Sequence, residues 1–302
     1  MTDDLLDNFD LDDRHDLDDV HGLDDVHDLG ALDDLEGDPG LAPAFESVEA
    51  WVTGYLAPVI NRQIIPTPGG DLAWDRNWWL HSEVVARLTA LWWAFEGARQ
   101  RSSEDRSAMS GWWVDHCEPH LKVLLDPDTG PMSGANPAGT WRGHGPLAYE
   151  PPPEDWSADD LADLPAERPE PVGENADELP PPAFTRLEDF VESYLCEVVN
   201  RKIDPQPGHG LAWDARWWRH QEVVSRLTAL WWAFEDARVA ADNPAAMSNW
   251  WLRHCDPHLR VLLDGETGPM SHANPSGTWL GHGGLALEAP PEGWERPPHL
   301  TP

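Results

Sequence analysis

"RLTALWWAFE" at residues 87–96 returns letter for letter at residues 226–235. The match extends outward: residues 44–156 align with 183–294, with one single-residue gap near 100–107, and most aligned positions are identical. The chain therefore carries one domain of roughly 110 residues twice, a size that can bury its own core. Around the two copies lie an acidic arm (1–43), a Pro/acid-rich linker (151–182) and a C-terminal tail (291–302), leaving repeat 1 at 44–150 and repeat 2 at 183–290.

The quoted stretch is the middle of an amphipathic helix predicted over about Asp75 to Arg99. Trp78, His81, Val85, Leu88, Trp92, Phe95 and Arg99 recur at helical spacing, and Glu83 and Arg87 sit four apart in the favourable order. A helix from about Phe45 to Ile64 precedes it, and its counterpart opens with the capping-box spacing Thr185–Glu188. A third begins near Ala108. Pro119 and Pro257 would break it, so a boundary at Cys117–Glu118 and a short fourth helix to Leu125 are expected. Glycine-containing turns close each repeat. The fold class is mainly α: two tandem Trp-rich helical domains of three to four helices, each with a long C-terminal loop.

Charge is concentrated outside the repeats. Residues 1–43 hold sixteen acids against one arginine, and residues 150–182 hold eleven against one. In the arm, apolar residues recur every third position from Leu17 to Leu35, a period that winds around a helix without making a face, so disorder is expected there. The proline-rich linker reads as stiff and extended. A formal charge of −35 disfavours phosphate backbones and favours a basic protein partner for the arm. Three cysteines cannot form a disulfide framework, and no signal pattern or membrane-spanning apolar run is visible. A cytoplasmic protein without a membrane role is expected.

Few constellations suggest chemistry. His116 and His120, with His254 and His258 as counterparts, have the spacing of a helical metal pair, which makes zinc the alternative to an expectation of no cofactor. Packed histidines at helix ends are the simpler reading. His81 and Glu83, two residues apart, would point away from each other on a helix. No phosphate-binding glycine loop, nucleophile elbow or carboxylate pair occurs.

The 19 tryptophans are the unusual feature, and the duplication sorts them. Trp92 belongs to the core stripe. Ser82, Ala86 and Gly97 become Gln221, Ser225 and Asp236 in repeat 2, which marks their side of the helix as solvent. Trp79 and Trp93 project to that side yet persist as Trp218 and Trp232. Such rings need a cover: the loop bearing Trp141 or Trp279 is the expected one, and a protein partner is the alternative.

"WDRNWWLHSEVVARLTALWWAFE" (74–96) and "MSGWWVDHCEPHLKVLLDPDTGPM" (109–132), with their counterparts, resemble the actinobacterial family called domain of unknown function 4913. The resemblance implies a helical bacterial protein carried on plasmids, phages or conjugation-related elements, and implies no activity or catalytic residue. A cysteine frequent in the family after the first Trp is Asp75 and Asp214 here, so no thiol role transfers.

The leading reading is a non-enzymatic interaction or accessory protein, with Trp79, Trp93, Trp218 and Trp232 as partner-binding candidates. Its repeats either act bivalently or pack together as a fused pseudo-dimer. Two alternatives stay open: a metal-dependent hydrolase using His81, His116, His120 and His144, and a nucleic-acid-binding protein with Arg62, Arg76, Arg87 and Arg142 in a groove screened by the acidic arm.

Overall fold

The computed structural model describes residues 42–62, 64, 72–136, 138–157, 180–274 and 276–285. The expectations for the acidic arm, most of the linker and the C-terminal tail fall outside them. Each repeat is three helices followed by a loop-rich end. Among the described residues no strand forms; isolated bridges join Leu211 to Ile203 and to Asp264.

The first helix is an α-turn (Val48–Trp51), a π-helical turn (Val52–Leu56) and a final α-turn (Ala57–Val59). Ser47 caps it by accepting the Ala50 N–H at 3.2 Å. It ends at Ile60, which is extended, earlier than the expected Ile64, and the polar Asn61 and Arg62 lie on the surface. In repeat 2 the equivalent helix starts at Leu187, and Arg186 occupies the cap position without a side-chain hydrogen bond. Thr185 stands one residue too early to cap, so the capping box does not form. A buried carboxylate fixes the segment ahead of this helix in both repeats: Glu96 accepts the Ala44 N–H at 3.0 Å and the Phe45 N–H at 3.2 Å, and Glu235 accepts those of Ala183 and Phe184 at 3.0 and 2.9 Å. The last letter of "RLTALWWAFE" thus ties each repeat's leading segment to its central helix.

The central helices are Ser82–Arg101 and Gln221–Val239. They begin later than the hydrophobic spacing suggests. Asp75 accepts the Asn77 N–H at 2.9 Å and pairs with His81 Nε2 at 3.0 Å, which folds Trp78–Leu80 into a 3-10 turn and leaves His81 extended at φ −110°. Trp78 and Trp79 therefore precede the helix. Val84, Leu88, Leu91, Trp92 and Phe95 form its core face against Trp51 and Trp112, and Trp112 Nε1 donates to the Leu91 carbonyl at 3.2 Å. Repeat 2 repeats the arrangement with Phe190, Leu227, Leu230, Phe234 and Trp250.

The third helix runs unbroken through an α-turn (Ala108–Gly111), a π-helical segment (Trp112–Cys117) and a second α-helix (Glu118–Leu124), where a boundary was expected at Cys117–Glu118. Pro119 offers no N–H and crowds the carbonyl one turn back. The wider i→i+5 turn ahead of it relieves both demands, so the chain bends its hydrogen-bond ladder and keeps its path. The described residues of both repeats belong to one compact unit.

Candidate functional site

The stripe Glu83, Arg87, Ala90, Ala94 and Gly97 lies beside the core face of the first central helix, and all five residues are buried. Repeat 2 covers it. Arg87 pairs with Glu83 at 2.9 Å and reaches across to both carboxylate oxygens of Asp256, while its guanidinium lies 4.2 Å from the Trp251 ring centroid. Glu83 also receives Arg201 Nε at 2.9 Å and the Asn200 N–H at 3.3 Å, and Arg201 Nη1 donates to the Thr129 carbonyl at 2.6 Å. Burial pulls the Arg87 pKa down, but the Asp256 and Glu83 carboxylates overcome it and hold the group above its ordinary value. Small residues let the surfaces close: a Cβ on Gly97 would stand 2.8 Å from the Pro244 Cβ. Of the side read as solvent from the differences between copies, Ala86 and Gly97 meet repeat 2, while Ser82, Trp79 and Trp93 are exposed as expected. The two copies play unlike parts: Glu222, the counterpart of the buried Glu83, is 55% exposed.

The histidines fall into two groups. His116 Nδ1 and His120 Nε2 meet one hydroxyl of repeat 2, Ser248 Oγ, at 2.9 and 3.0 Å. Their four-residue spacing does place them together, around a serine. Burial lowers both pKa values, His120 the more strongly, with Arg87 adding to the effect. His254 is exposed and His258 half-buried. His81, held by Asp75, and His144, paired with Ser133 Oγ at 2.8 Å, flank Trp141 at ring distances of 4.9 Å each. Among the described residues, no group of three or more His, Cys, Asp or Glu is arranged to hold a metal ion. The three cysteines are free and buried; burial pushes the Cys117 and Cys196 thiols up to about 12. Of the four arginines considered for a nucleic-acid groove, Arg87 is enclosed, Arg62 pairs with Glu118, and Arg76 and Arg142 are exposed.

Trp141 and Trp279 lie tilted against His81 and His220, and Trp79 and Trp93 stay exposed rather than covered by the loop that bears Trp141. Trp218 is covered instead by the end of the preceding repeat. Residues 147–156 cross to repeat 2 as a strap: Leu147 enters its core cluster and donates its N–H to the Cys196 carbonyl at 3.0 Å. Trp213 Nε1 donates to the Ala148 carbonyl at 2.8 Å, Trp218 Nε1 to the Glu150 carbonyl at 3.1 Å, and Trp156 Nε1 to the Trp218 carbonyl at 3.2 Å. Trp79, the counterpart of Trp218 in repeat 1, stands 57% exposed. Trp93 lies 4.6 Å from Trp92, ring to ring, and is 46% exposed, while Trp232 packs partly buried against the repeat 2 core.

Composition alone assigned residues 151–156 to a spacer, and the strap was missed. Its signal was the recurrence of "LAYEPPPEDW" (147–156) as "LALEAPPEGW" (285–294). Among the described residues no helix is long and apolar enough to cross a membrane. Neither the curated proteins nor the solved structures contain a match to the chain. A family model does match, over residues 45–153 and again over 184–283, so that the first segment takes in the strap as far as Pro153. The chain belongs to the family described as Domain of unknown function (DUF4913), and carries that domain twice in tandem.

Proposed function

We propose that the protein is a non-enzymatic interaction protein in which each repeat is a receptor for an extended, proline-containing segment, and that the open receptor around Trp79 of repeat 1 is its binding site. One observation carries this reading: repeat 2 grips the strap through the Trp213 and Trp218 indoles, while the equivalent Trp79 of repeat 1 is exposed. Indole N–H groups donating to the carbonyls of a proline-rich strand are a familiar way to hold a peptide that has little order to lose on binding. Tryptophan is also among the residues that most often anchor an interface.

The test is calorimetric titration of a synthetic peptide of residues 145–158 into the full-length protein at about 0.15 M salt, which shortens the reach of charge repulsion to about 8 Å. Binding is expected, and Trp79→Ala is expected to weaken it at least tenfold while Trp218→Ala leaves it unchanged. No heat at about 1 mM peptide, where even a weak complex of about −4 kcal/mol forms, or binding indifferent to Trp79→Ala, refutes the reading.

A further inference from the structure

We infer that the occupant of the open receptor is a second copy of this chain, its repeat 2 docking on repeat 1 of the next chain so that molecules join head to tail. This rests on the receptor reading above and names its partner. The contact between the repeats is not two-fold symmetric. Repeat 1 contributes one surface, the Glu83–Arg87 helix face with the histidine pair and the strap. Repeat 2 contributes a different one, Asn200, Arg201, Ser248, Trp251 and Asp256 with the strap receptor. Two copies joined this way leave one surface of each kind unused, on opposite partners.

The unused surfaces retain the complementary chemistry. Glu222 and Arg226 stand where Glu83 and Arg87 stand, and Arg62 and Glu118 where Arg201 and Asp256 stand. Arg226 would meet Glu118, Glu222 would meet Arg62, and Trp113 would lie under Arg226 as Trp251 lies under Arg87. His254 and His258 would meet Ser110, which is exposed, whereas Ser248 is buried. The Gly97–Pro244 contact becomes Asp236 opposite Arg106, a pair of opposite charges. In their present state Arg62 and Glu118 pair with each other on the surface, as Arg201 and Asp256 do not.

A cavity and an exposed side chain match in detail. A cavity of about 880 Å³ in repeat 2 is lined by Glu222, Ser225, Thr267 and His282. It is the counterpart of the place in repeat 1 where Arg201 bonds Glu83 and the Thr129 carbonyl. Leu285, which opens the second strap sequence, is 92% exposed, while its counterpart Leu147 is buried in the neighbouring repeat's core. A heterologous contact of this kind closes into a ring or continues as a filament, depending on the rotation it imposes.

Sedimentation velocity of the full-length protein from about 1 to 200 μM at about 0.15 M salt tests this, across the affinity range of transient contacts. A single discrete multiple of 33.8 kDa (a ring) or a mass that grows with concentration (a filament) is expected. Glu222→Arg and Arg62→Glu are each expected to raise the dissociation constant at least tenfold, and the double variant to return within threefold of the parent. Both sites are on the surface, so unchanged far-ultraviolet circular dichroism and melting temperature verify that the variants fold. A 33.8 kDa species at every concentration, or assembly indifferent to both substitutions, overturns the proposal. Peptide binding at Trp79 in a chain that stays monomeric removes the second copy alone; loss of peptide binding removes the receptor itself.

Discussion

Ser248 shows how one hydroxyl can hold two domains in register. It sits between His116 Nδ1 and His120 Nε2, donating to one ring and accepting from the other, so the two nitrogens that face it are paired while both rings are neutral. Ser248→Ala is expected to cost about 1–3 kcal/mol in urea unfolding, because it strands buried nitrogen atoms. Ser110→Ala, the exposed counterpart, should stay within about 0.5 kcal/mol. Acid acts on the same place. Burial depresses the His116 and His120 pKa values, so the unfolded chain takes up protons more readily than the folded one. Their contribution is complete above the unfolded value of about 6.5 and is lost as pH falls below it. A melting temperature that drops between pH 7.5 and 5.5, with a shallower drop in His116→Gln/His120→Gln, is expected from scanning calorimetry. The histidine spacing was legible in the sequence. Its partner lies in the other repeat, and no local pattern couples residues so far apart.

The central helix was the most legible element, and its limits are instructive. Periodicity marked the core face of Leu88, Trp92 and Phe95 correctly, because burial against the helix's own repeat obeys a 3.6-residue period. It overran the helix start, because the Asp75–His81 pair imposes a turn that hydrophobic spacing does not record. It also missed the second buried stripe, where alanine, glycine and a paired Glu–Arg stand in for bulky apolar residues. Gly97→Ala probes that stripe. In an isolated helix the change would stabilise by about 1 kcal/mol. Here the new methyl meets the rigid Pro244 ring at 2.8 Å, and overpacking of that kind costs about 1–3 kcal/mol. Net destabilisation is expected in chemical denaturation; a gain of about 1 kcal/mol would show that the inter-repeat contact is loose.

At the scale of the whole molecule, the sequence displays two equal copies and the structure two unequal roles. Composition could not reveal this, since identical residues do different jobs: Glu83 is buried between two arginines, and Glu222 faces a cavity. Glu83→Gln should cost about 3–5 kcal/mol by leaving Arg87 and Arg201 undercompensated, and Glu222→Gln about 1 kcal/mol or less in the monomer. The strap offers a cleaner contrast, free of charge. Leu147 fills a place in the core of repeat 2, so Leu147→Ala removes buried methyl groups and should cost about 2–5 kcal/mol, with the strap released toward proteolysis. Leu285→Ala, at a side chain 92% exposed, should change monomer stability by no more than about 0.5 kcal/mol. Its effect belongs to assembly, where it should weaken association of the full-length chain several-fold. Equal effects of the two substitutions on unfolding of the dilute protein would mean that the copies are equivalent after all, and that the strap does not distinguish them.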